Sequence, residues 1–487
     1  MPFQSYGFLF LFLPVSVSGW FLAGRVGGVR AAKLWGLAAS IVFYTFAGAA
    51  SLPILALSVA FNWSLTGLLV RPALAASARR RWVVFGVVAN LLLLGVFKYA
   101  GFVATNLGWL MGASFAVPEL ALPLGLSFFT FAQIAYLVDV GAGRASRGDL
   151  LDYAFFVSFF AKIASGPITR STELLPQLAG AAGTGLTRPD WRNLSLGLFV
   201  FAIGLFKKVM LADPLALWAN AGFDASASLT FLEAWGASLA YTFQLYFDFS
   251  GYTDMAIGIG LLLNLRLPEN FDSPYRARDL QEFWRRWHIT LSRFLRDYVY
   301  VPLGGNRRSE AITHRNLVLT FLVGGLWHGA GWTFVAWGLL HGVGASIHRL
   351  WKSRGHALPG PLAWVVTFLF VNFAWVFFRA PDFSRAFDLL AGMAGFHGVV
   401  LHSKLERGFG WLSGLGITFG PLAQLPESSE ATRFLIGCLV LVLATRNSRQ
   451  LRDTFRFDLV HAVAIVAMVV IAVFSLGRVT EFLYVQF

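Results

Sequence analysis

Apolar residues dominate the chain in a series of runs, most of them nearly as long as a bilayer is thick, separated by short polar segments. About 20 consecutive apolar residues cross the hydrocarbon core of a membrane as a helix. Some of the runs are too short or too interrupted to cross. We therefore predict an all-α polytopic membrane protein with about 11–13 transmembrane helices, the other runs being re-entrant or tilted. The runs cover approximately residues 7–24, 34–49, 51–70, 82–110, 121–140, 150–166, 194–220, 229–248, 250–265, 316–328, 332–351, 361–378, 433–446 and 458–476.

One long stretch, about residues 266–315, departs from this pattern because it is rich in arginine and contains no lysine. Within it, residues 279–300 place aromatic and aliphatic side chains on one stripe of a helix and charged side chains on the opposite side. We predict an amphipathic helix on the membrane surface, with Glu282 and Arg286 paired across one turn. His288 falls about 80° from the centre of the stripe. The pattern alone leaves open whether it is a snorkelling interfacial histidine or a functional one.

Basic residues between the apolar runs predict the orientation. Arg25, Arg30 and Lys33 follow the first run, and further arginines follow the third and fifth runs. By the positive-inside rule, the N-terminus faces away from the cytoplasm and the segment 266–315 is cytoplasmic. We therefore expect a multi-pass membrane protein whose N-terminus lies on the side opposite the cytoplasm. Because the first basic residue follows the first apolar run, we do not expect a cleaved signal peptide.

The composition excludes several classes of protein. Hydrophobic residues make up 57% of the 487 residues and charged residues 13%, whereas soluble domains have about 25% charged residues. The net charge of +14 lies mainly in segments where lipid head groups explain it, so we expect no nucleic-acid partner. The single cysteine, Cys438, excludes a disulfide within the chain and a CxxC site. No long polar linker is visible, so residues 1–487 are predicted to form a single membrane domain.

His328 lies in the apolar run GGLWHGAGWTFVAWGLLHG, residues 324–342. An ionisable side chain at membrane depth is costly and therefore suggests a function. The surrounding glycines allow close backbone approach, a helix break or room for a substrate. The residue type is equally compatible with a buried neutral imidazole bound to a carbonyl. His341 and His348 share a face of the following helix and are interpreted as polar packing residues.

Other ionisable groups at apparent membrane depth have ordinary explanations. Lys98 and Asp139 are assigned to snorkelling at helix ends, and FKKVMLAD (206–213) contains enough opposite charge to neutralise itself. DFSGYTD (248–254) lacks the glycine and the downstream glutamate of a calcium loop, so no metal site is predicted. PLGGNRR (302–308) is either a phosphate-binding turn or a plain loop. Motifs for zinc proteolysis, serine hydrolysis and nucleotide binding are absent from the sequence.

Several segments together resemble the membrane-bound O-acyltransferase family, in particular the membrane subunit of bacterial alginate and exopolysaccharide O-acetylation. The blocks RRWHITLS and LWHGAGW are the most specific, and the motif-bearing core covers about residues 120–380. The matching segments are PLGLSFFTFAQIAYLVDV (123–140), SGPITR (165–170), FKKVMLAD (206–213), YFDFSGYTDMAIG (246–258), PENFDSPYRARDLQEFWRRWHITLSRFLRDYVYVPLGGNR (268–307), RN followed by GGLWHGAGW (315–332), WVFFRA (375–380) and the closing FLYVQF.

This resemblance implies an acyltransferase whose two signature histidines are His288 and His328, with His328 the stronger catalytic candidate. Asp213, Asn316 and Trp327 are supporting candidates. It also implies an all-helical ring around a thinned membrane centre, with a tunnel from the donor side to the acceptor side. The implied partners are a periplasmic acetyltransferase and the machinery of polysaccharide biosynthesis.

The chemistry of acyl transfer is consistent with these residue types. A hydroxyl that attacks a thioester must lose its proton, and a neutral imidazole is well suited to accept it. We expect acetyl-CoA as a cytoplasmic donor, without a tightly bound cofactor or metal. Arginine binds phosphate through its planar fork, and the candidate donor-binding residues are Arg285, Arg286, Arg296 and Arg307.

Two competing functions remain open at this stage. A non-catalytic transporter of acyl groups, sugars or ions would use the intramembrane lysines and aspartates as its pathway. Inverted hydropathy repeats would favour it, and none is evident. A membrane glycosyltransferase would require an acidic cluster on an extramembrane loop, and none stands out.

Overall fold

The computed structural model describes residues 1–115, 120–179, 183–478 and residue 483. Its regular structure is almost entirely helical, which confirms the predicted all-α class. The exception is a small parallel sheet in which β1 (Val400–His402) pairs with β2 (Thr418–Gly420). Apart from Leu483, the closing FLYVQF segment lies outside the described residues.

The first helix folds back on itself as a hairpin. A π-helical turn at Phe8–Phe12 leads into α1 (Leu13–Gly48), which is broken at Gly27 and Gly28. Gly28 has φ +70°, a conformation that glycine adopts without steric cost. The indole N–H of Trp35 donates to the carbonyl of Ser16 at 3.0 Å, so the two halves lie side by side. The predicted separate runs 7–24 and 34–49 are thereby confirmed as two segments.

Five helical segments among the described residues are long and apolar enough to cross a membrane. They support a multi-pass membrane protein, and the larger count of 11–13 spans stays a prediction. One of the five is the N-terminal hairpin, and Leu126–Gly141 and Leu459–Phe474 are shorter apolar helices. The five segments are Phe8–Phe46, Ala49–Leu69, Ala76–Met111, Trp191–Phe223 and Gly360–Arg379.

The remaining helices follow in chain order. The first half contains α2 (Leu52–Leu69), α3 (Ala76–Met111), α4 (Leu126–Gly141), α5 (Leu150–Ser158), α6 (Phe160–Ile163), α7 (Ser171–Leu178), α8 (Gly183–Leu186), α9 (Trp191–Phe206), a π-helical segment Lys207–Ala212, α10 (Asp213–Phe223) and α11 (Phe231–Leu262). The second half contains α12 (Leu280–Arg286), α13 (Ile289–Leu295), a π-helical segment Arg296–Tyr300, α14 (Glu310–His328), α15 (Trp332–Ser353), α16 (Gly360–Arg379), α17 (Phe383–Met393), α18 (Glu406–Phe409), α19 (Ser428–Ala444), α20 (Ser448–Asp453) and α21 (Leu459–Phe474).

Helix α11 forms the centre of the molecule, and nearly all of its residues are buried. It begins at a capping box, in which the carboxylate of Glu233 accepts from the backbone N–H of Thr230 at 3.0 Å. Helix α9 packs directly against its backbone through small residues. A Cβ atom added at Gly204 would lie 2.5 Å from the carbonyl oxygen of Gly251. Small residues of this kind allow the close helix contacts that stabilise membrane proteins.

The arginine-rich segment differs from its prediction. A single amphipathic helix over residues 279–300 is wrong, because the segment breaks between α12 and α13 at Trp287 and His288. Asp279 caps α12 by accepting from the N–H of Glu282 at 2.7 Å. The predicted pair of Glu282 and Arg286 is confirmed at 2.7 Å. The apolar stripe is mostly buried within the protein, whereas a helix on the membrane surface was predicted. The pattern therefore identified the apolar face but neither the break nor what covers that face.

We expect the substitution Gly204→Ala to destabilise the fold. The added methyl group would collide with the backbone of α11, and overpacking of this kind costs about 1–3 kcal/mol. The midpoint of thermal unfolding in detergent, followed by fluorescence-detected size-exclusion chromatography, should fall. Gly95→Ala is the matched control, because a Cβ at this position of α3 meets nothing within 4 Å. An equal loss in both variants would contradict the packing argument.

Candidate active site

Helices α14 and α15 form a tight hairpin that carries His328 at its turn. Helix α14 ends at His328, and α15 begins at Trp332 after three residues, which confirms the predicted break. A Cβ at Gly325 would lie 2.3 Å from the carbonyl oxygen of Phe334, so the two backbones are in direct contact. His328 is only 3% exposed. The glycines thus place an imidazole at the buried end of a helix.

His288 lies at the break between α12 and α13. Its φ of 41° and ψ of 54° are left-handed, which is uncommon for a residue with a side chain. This backbone turn directs the imidazole into the protein, where it is completely buried. The predicted border position between the apolar and polar faces is therefore wrong, because it assumed that the helix continues through residue 288.

Asn270 holds His288 in place. The side-chain oxygen of Asn270 accepts from the N–H of Thr290 at 3.2 Å and from its hydroxyl at 2.9 Å. The same oxygen lies 3.1 Å from Nδ1 of His288. Because a carbonyl oxygen can only accept, Nδ1 is the donor, and in the neutral imidazole Nε2 carries the lone pair. The hydrogen bonds therefore assign the tautomer of His288.

The two predicted histidines come together in space. The ring centroids of His288 and His328 are 6.4 Å apart, although the residues are 40 positions apart in the chain. Aromatic rings enclose the pair. Phe249 lies 4.7 Å from His288, and Trp337 and Phe378 each lie 5.1 Å from His328. The two imidazoles are therefore buried near each other among aromatic rings.

Side chains of α3 cap the C-terminal end of α14, the helix that carries His328. The ammonium of Lys98 donates to the carbonyl of Trp327 at 2.6 Å and to that of His328 at 2.9 Å. The hydroxyl of Tyr99 donates to the carbonyl of Leu326 at 2.5 Å. These carbonyls have no partner within the helix, and a cation at a helix C-terminus also favours the helix dipole. The assignment of Lys98 to snorkelling is therefore wrong, because its ammonium caps α14 inside the protein.

Of the supporting candidates on α14, only Trp327 lies at the site. Its ring stacks on Phe131 at 5.1 Å and lies 5.0 Å from the ring of His328. Asn316 is about 18 Å further along the helix. Its amide donates to the carbonyls of Leu303 and Gly305 at 3.2 and 3.0 Å, so it anchors the PLGGNRR segment to α14.

Asp213 belongs to a buried ion cluster. The ammonium of Lys208 contacts Asp213 and Asp248, each at 2.8 Å, and all three side chains are at most 3% exposed. The predicted neutralisation inside FKKVMLAD is confirmed for this lysine. Lys207 instead pairs with Asp254 at 2.7 Å, on the neighbouring helix α11. The cluster joins the π-helical segment Lys207–Ala212 to the central helix.

The four candidate donor-binding arginines differ in their surroundings. Arg285 and Arg307 have exposed side chains. Arg286 is held by Glu282 and by the carbonyl of Asp272 at 3.1 Å, and Arg296 contacts Asp297 at 2.7 Å. Arg296 remains 62% exposed despite this pairing, so it presents its charge at the surface as Arg285 and Arg307 do. Only Arg286 is held within the local structure.

The structure adds a third histidine that the sequence pattern assigned to packing. His341 is completely buried, and its ring lies 4.9 Å from that of Trp337 on the same face of α15. The indole N–H of Trp284 donates to Nδ1 of His341 at 3.2 Å. The spacing of Trp337 and His341, four residues apart, is the sequence signal that places both on one face of α15.

These features define a multi-pass helical membrane protein with a buried histidine site. The sequence model of the membrane-bound O-acyltransferase family matches residues 81–381. The chain belongs to this family and is an O-acyltransferase. This membership favours the enzyme over the transporter and the glycosyltransferase.

Several named proteins are similar to this chain. A peptidoglycan O-acetyltransferase of Helicobacter pylori is 42% identical over 481 residues, covering 93% of this chain and 90% of that protein. A probable alginate O-acetylase of Pseudomonas aeruginosa is 41% identical over 413 residues, covering 84% and 77%. A teichoic acid D-alanyltransferase of Streptococcus thermophilus is 30% identical over 252 residues, covering 47% and 58%. The similarity therefore extends across proteins named for different acceptors.

We expect Lys98→Met to lower acyl transfer about tenfold, the size expected for losing a charged helix cap in a partly buried setting. The last turn of α14 would lose its partners, and His328 would lose its fixed position. Lys98→Arg, which keeps the charge, should retain most of the activity, and Lys352→Met should behave as the unchanged protein because Lys352 is exposed. Turnover is measured with the protein in membranes. Full activity of Lys98→Met would refute the positioning role.

Proposed function

We propose that this protein is a membrane O-acetyltransferase. It moves an acetyl group from acetyl-CoA on the cytoplasmic side to a hydroxyl of an extracytoplasmic partner protein or of a polysaccharide such as alginate or peptidoglycan. The observation that carries this proposal is the buried pair of His288 and His328, whose rings are 6.4 Å apart. The names of the two relatives at 41–42% identity support acetyl as the group and a wall or matrix glycan as the acceptor class.

His328 is the general base in this proposal. Its imidazole accepts the proton of the attacking hydroxyl while the oxygen forms a bond to the acyl carbon. When the carbon–sulfur bond then breaks, the thiolate of the donor takes that proton and leaves as the free thiol. His288 is the second histidine of the pair and lies next to His328. Its hydrogen bond to Asn270 fixes which ring nitrogen carries the proton.

The donor docks at the exposed arginines of the segment 266–315. The phosphates of acetyl-CoA carry several negative charges, and Arg285 and Arg307 offer exposed positive charge. Arg285 is three residues before His288, so the charged surface and the buried site belong to one continuous segment. A thioester held there would have its acyl group directed towards the histidines.

The protein is placed in the bacterial inner membrane with its N-terminus in the periplasm. A periplasmic acetyltransferase and the machinery of polysaccharide biosynthesis are its expected partners, besides the surrounding lipids. The tunnel across the membrane centre belongs to this proposal as well, because donor and acceptor lie on opposite sides.

We expect His328→Ala to reduce acetyl transfer by about 10²–10⁴-fold, the usual contribution of a general base. His356→Ala is the control, because His356 is an exposed histidine. Transfer of labelled acetyl from acetyl-CoA is measured in membranes, with protein amount checked by size-exclusion chromatography. Mass spectrometry of the exopolymer and of the wall glycan identifies the acceptor. Unchanged acetyl transfer by His328→Ala would rule out this base.

The double substitution of Arg285 and Arg307 to glutamate should raise the KM for acetyl-CoA about tenfold or more, because two favourable charges become repulsive. The effect should weaken as the salt concentration rises, since exposed charges are screened. Arg407→Glu is the matched control. This arginine is exposed but lies in α18, outside the segment 266–315. If the double substitution leaves the KM for acetyl-CoA unchanged, Arg285 and Arg307 do not belong to the donor site.

A further inference from the structure

The hydrogen bond between Trp284 and His341 fixes which nitrogen of His341 carries a proton. An indole N–H can only donate, so Nδ1 of His341 must accept. In the neutral imidazole the proton is then on Nε2, which becomes a hydrogen-bond donor. Among the residues that the structure describes, Nε2 of His341 has no hydrogen-bond partner.

Trp337 carries a second buried donor beside it. Its side chain is 1% exposed, and its indole N–H has no acceptor within the described part of the chain. Trp337 and His341 are four residues apart on α15, so they lie on the same face, with ring centroids 4.9 Å apart. A buried donor without a partner costs about 1–3 kcal/mol. Two such donors side by side indicate a place where an acceptor atom binds.

The donor of Trp337 lies at the histidine site, and His341 packs against Trp337. The ring of Trp337 is 5.1 Å from that of His328 and 5.2 Å from that of Phe378. On its other side, Trp337 stacks on Trp375 at 5.7 Å, and Trp375 lies 6.3 Å from His341. The rings around Trp337 are aromatic and apolar, so they fit a neutral or transiently charged oxygen better than a phosphate.

We propose that the Nε1–H of Trp337 and the Nε2–H of His341 together bind the carbonyl oxygen of the transferred acyl group. This inference rests on the proposed function, in which His328 removes the proton of the attacking hydroxyl. It adds two residues that bind the reacting carbonyl and that are distinct from the signature histidines His288 and His328.

The two donors would act on the charge that forms during transfer. As the hydroxyl oxygen bonds to the acyl carbon, its proton passes to His328 and the carbonyl π electrons move onto oxygen. The two N–H groups stabilise this oxyanion. When the carbonyl forms again, the carbon–sulfur bond breaks, the thiolate takes the proton from His328, and the products are an ester and a free thiol. Removing one such donor typically costs about 10²–10³ in kcat.

The test uses substitutions that remove one donor and keep the packing. Trp337→Phe removes the N–H and keeps an aromatic ring. His341→Asn keeps an oxygen near the position of Nδ1, which can accept from Trp284, and lacks a group at Nε2. His341→Gln extends an amide N–H towards the position of Nε2. Trp20→Phe is the control, because Trp20 is a completely buried tryptophan whose N–H donates to the carbonyl of Leu186 at 3.2 Å.

We expect Trp337→Phe and His341→Asn each to lower kcat for acetyl transfer by about 10²–10³-fold with little change in the KM for acetyl-CoA. His341→Gln should recover at least tenfold relative to His341→Asn. Trp20→Phe should keep kcat, whatever its effect on thermal stability.

The outcomes separate this inference from the proposed function. If His328→Ala abolishes transfer while Trp337→Phe and His341→Asn keep kcat, the donors bind only structural water and the inference is overturned. If both variants change kcat and KM together and also yield less folded protein, and His341→Gln restores no activity, Trp337 and His341 have a packing role and the inference is overturned. If His328→Ala keeps its activity, the proposed function fails, whereas the kcat of the donor variants still reports on the carbonyl site.

Discussion

The hydrogen bonds of Asn270 are the interaction on which the site depends. One buried carbonyl oxygen receives the N–H and the hydroxyl of Thr290 and the imidazole of His288. These bonds offset the strain of a left-handed residue with a side chain, which costs about 1–3 kcal/mol. Without them, the periodicity of residues 279–300 would favour a continuous surface helix, and His288 would remain at the border with water. The loop before α7 adds to this anchor, because the N–H of Ile168 donates to the hydroxyl of Thr290 at 3.0 Å.

The membrane explains why the second histidine needs partners from distant parts of the chain. In an apolar environment, each unsatisfied carbonyl at a helix end costs several kcal/mol. Helix α14 ends inside the protein at His328, so its last carbonyls require donors from elsewhere. Lys98 and Tyr99 of α3 supply them. The cap that satisfies the backbone therefore also fixes the position of the imidazole.

The sequence could predict the parts of the structure that follow from local periodicity. Hydropathy runs identified the apolar helices, and the separate runs 316–328 and 332–351 placed the break between α14 and α15. The left-handed turn at His288 could not be predicted, because histidine has no strong local preference for it and the deciding partner is 18 residues earlier. Lys98 was misassigned for the same reason, since its acceptors are 229 and 230 residues away. A hydrogen bond between residues far apart in the chain does not change the local periodicity of hydrophobic and polar residues.

The electrostatic character of the site follows from what is buried in it. The site contains His288, His328, His341 and Trp337, which are packed among aromatic rings. The ammonium of Lys98 donates to backbone carbonyls. Neutral groups cost little to bury when the site is at rest, and their dipoles are already oriented. In the proposed mechanism, charge would appear only when a proton moves to an imidazole and an oxyanion forms, in surroundings of low polarity that screen it weakly. Under the proposed function, the exposed arginines would hold the charged donor outside this apolar region, so donor binding and acyl transfer would be assigned to separate parts of the protein.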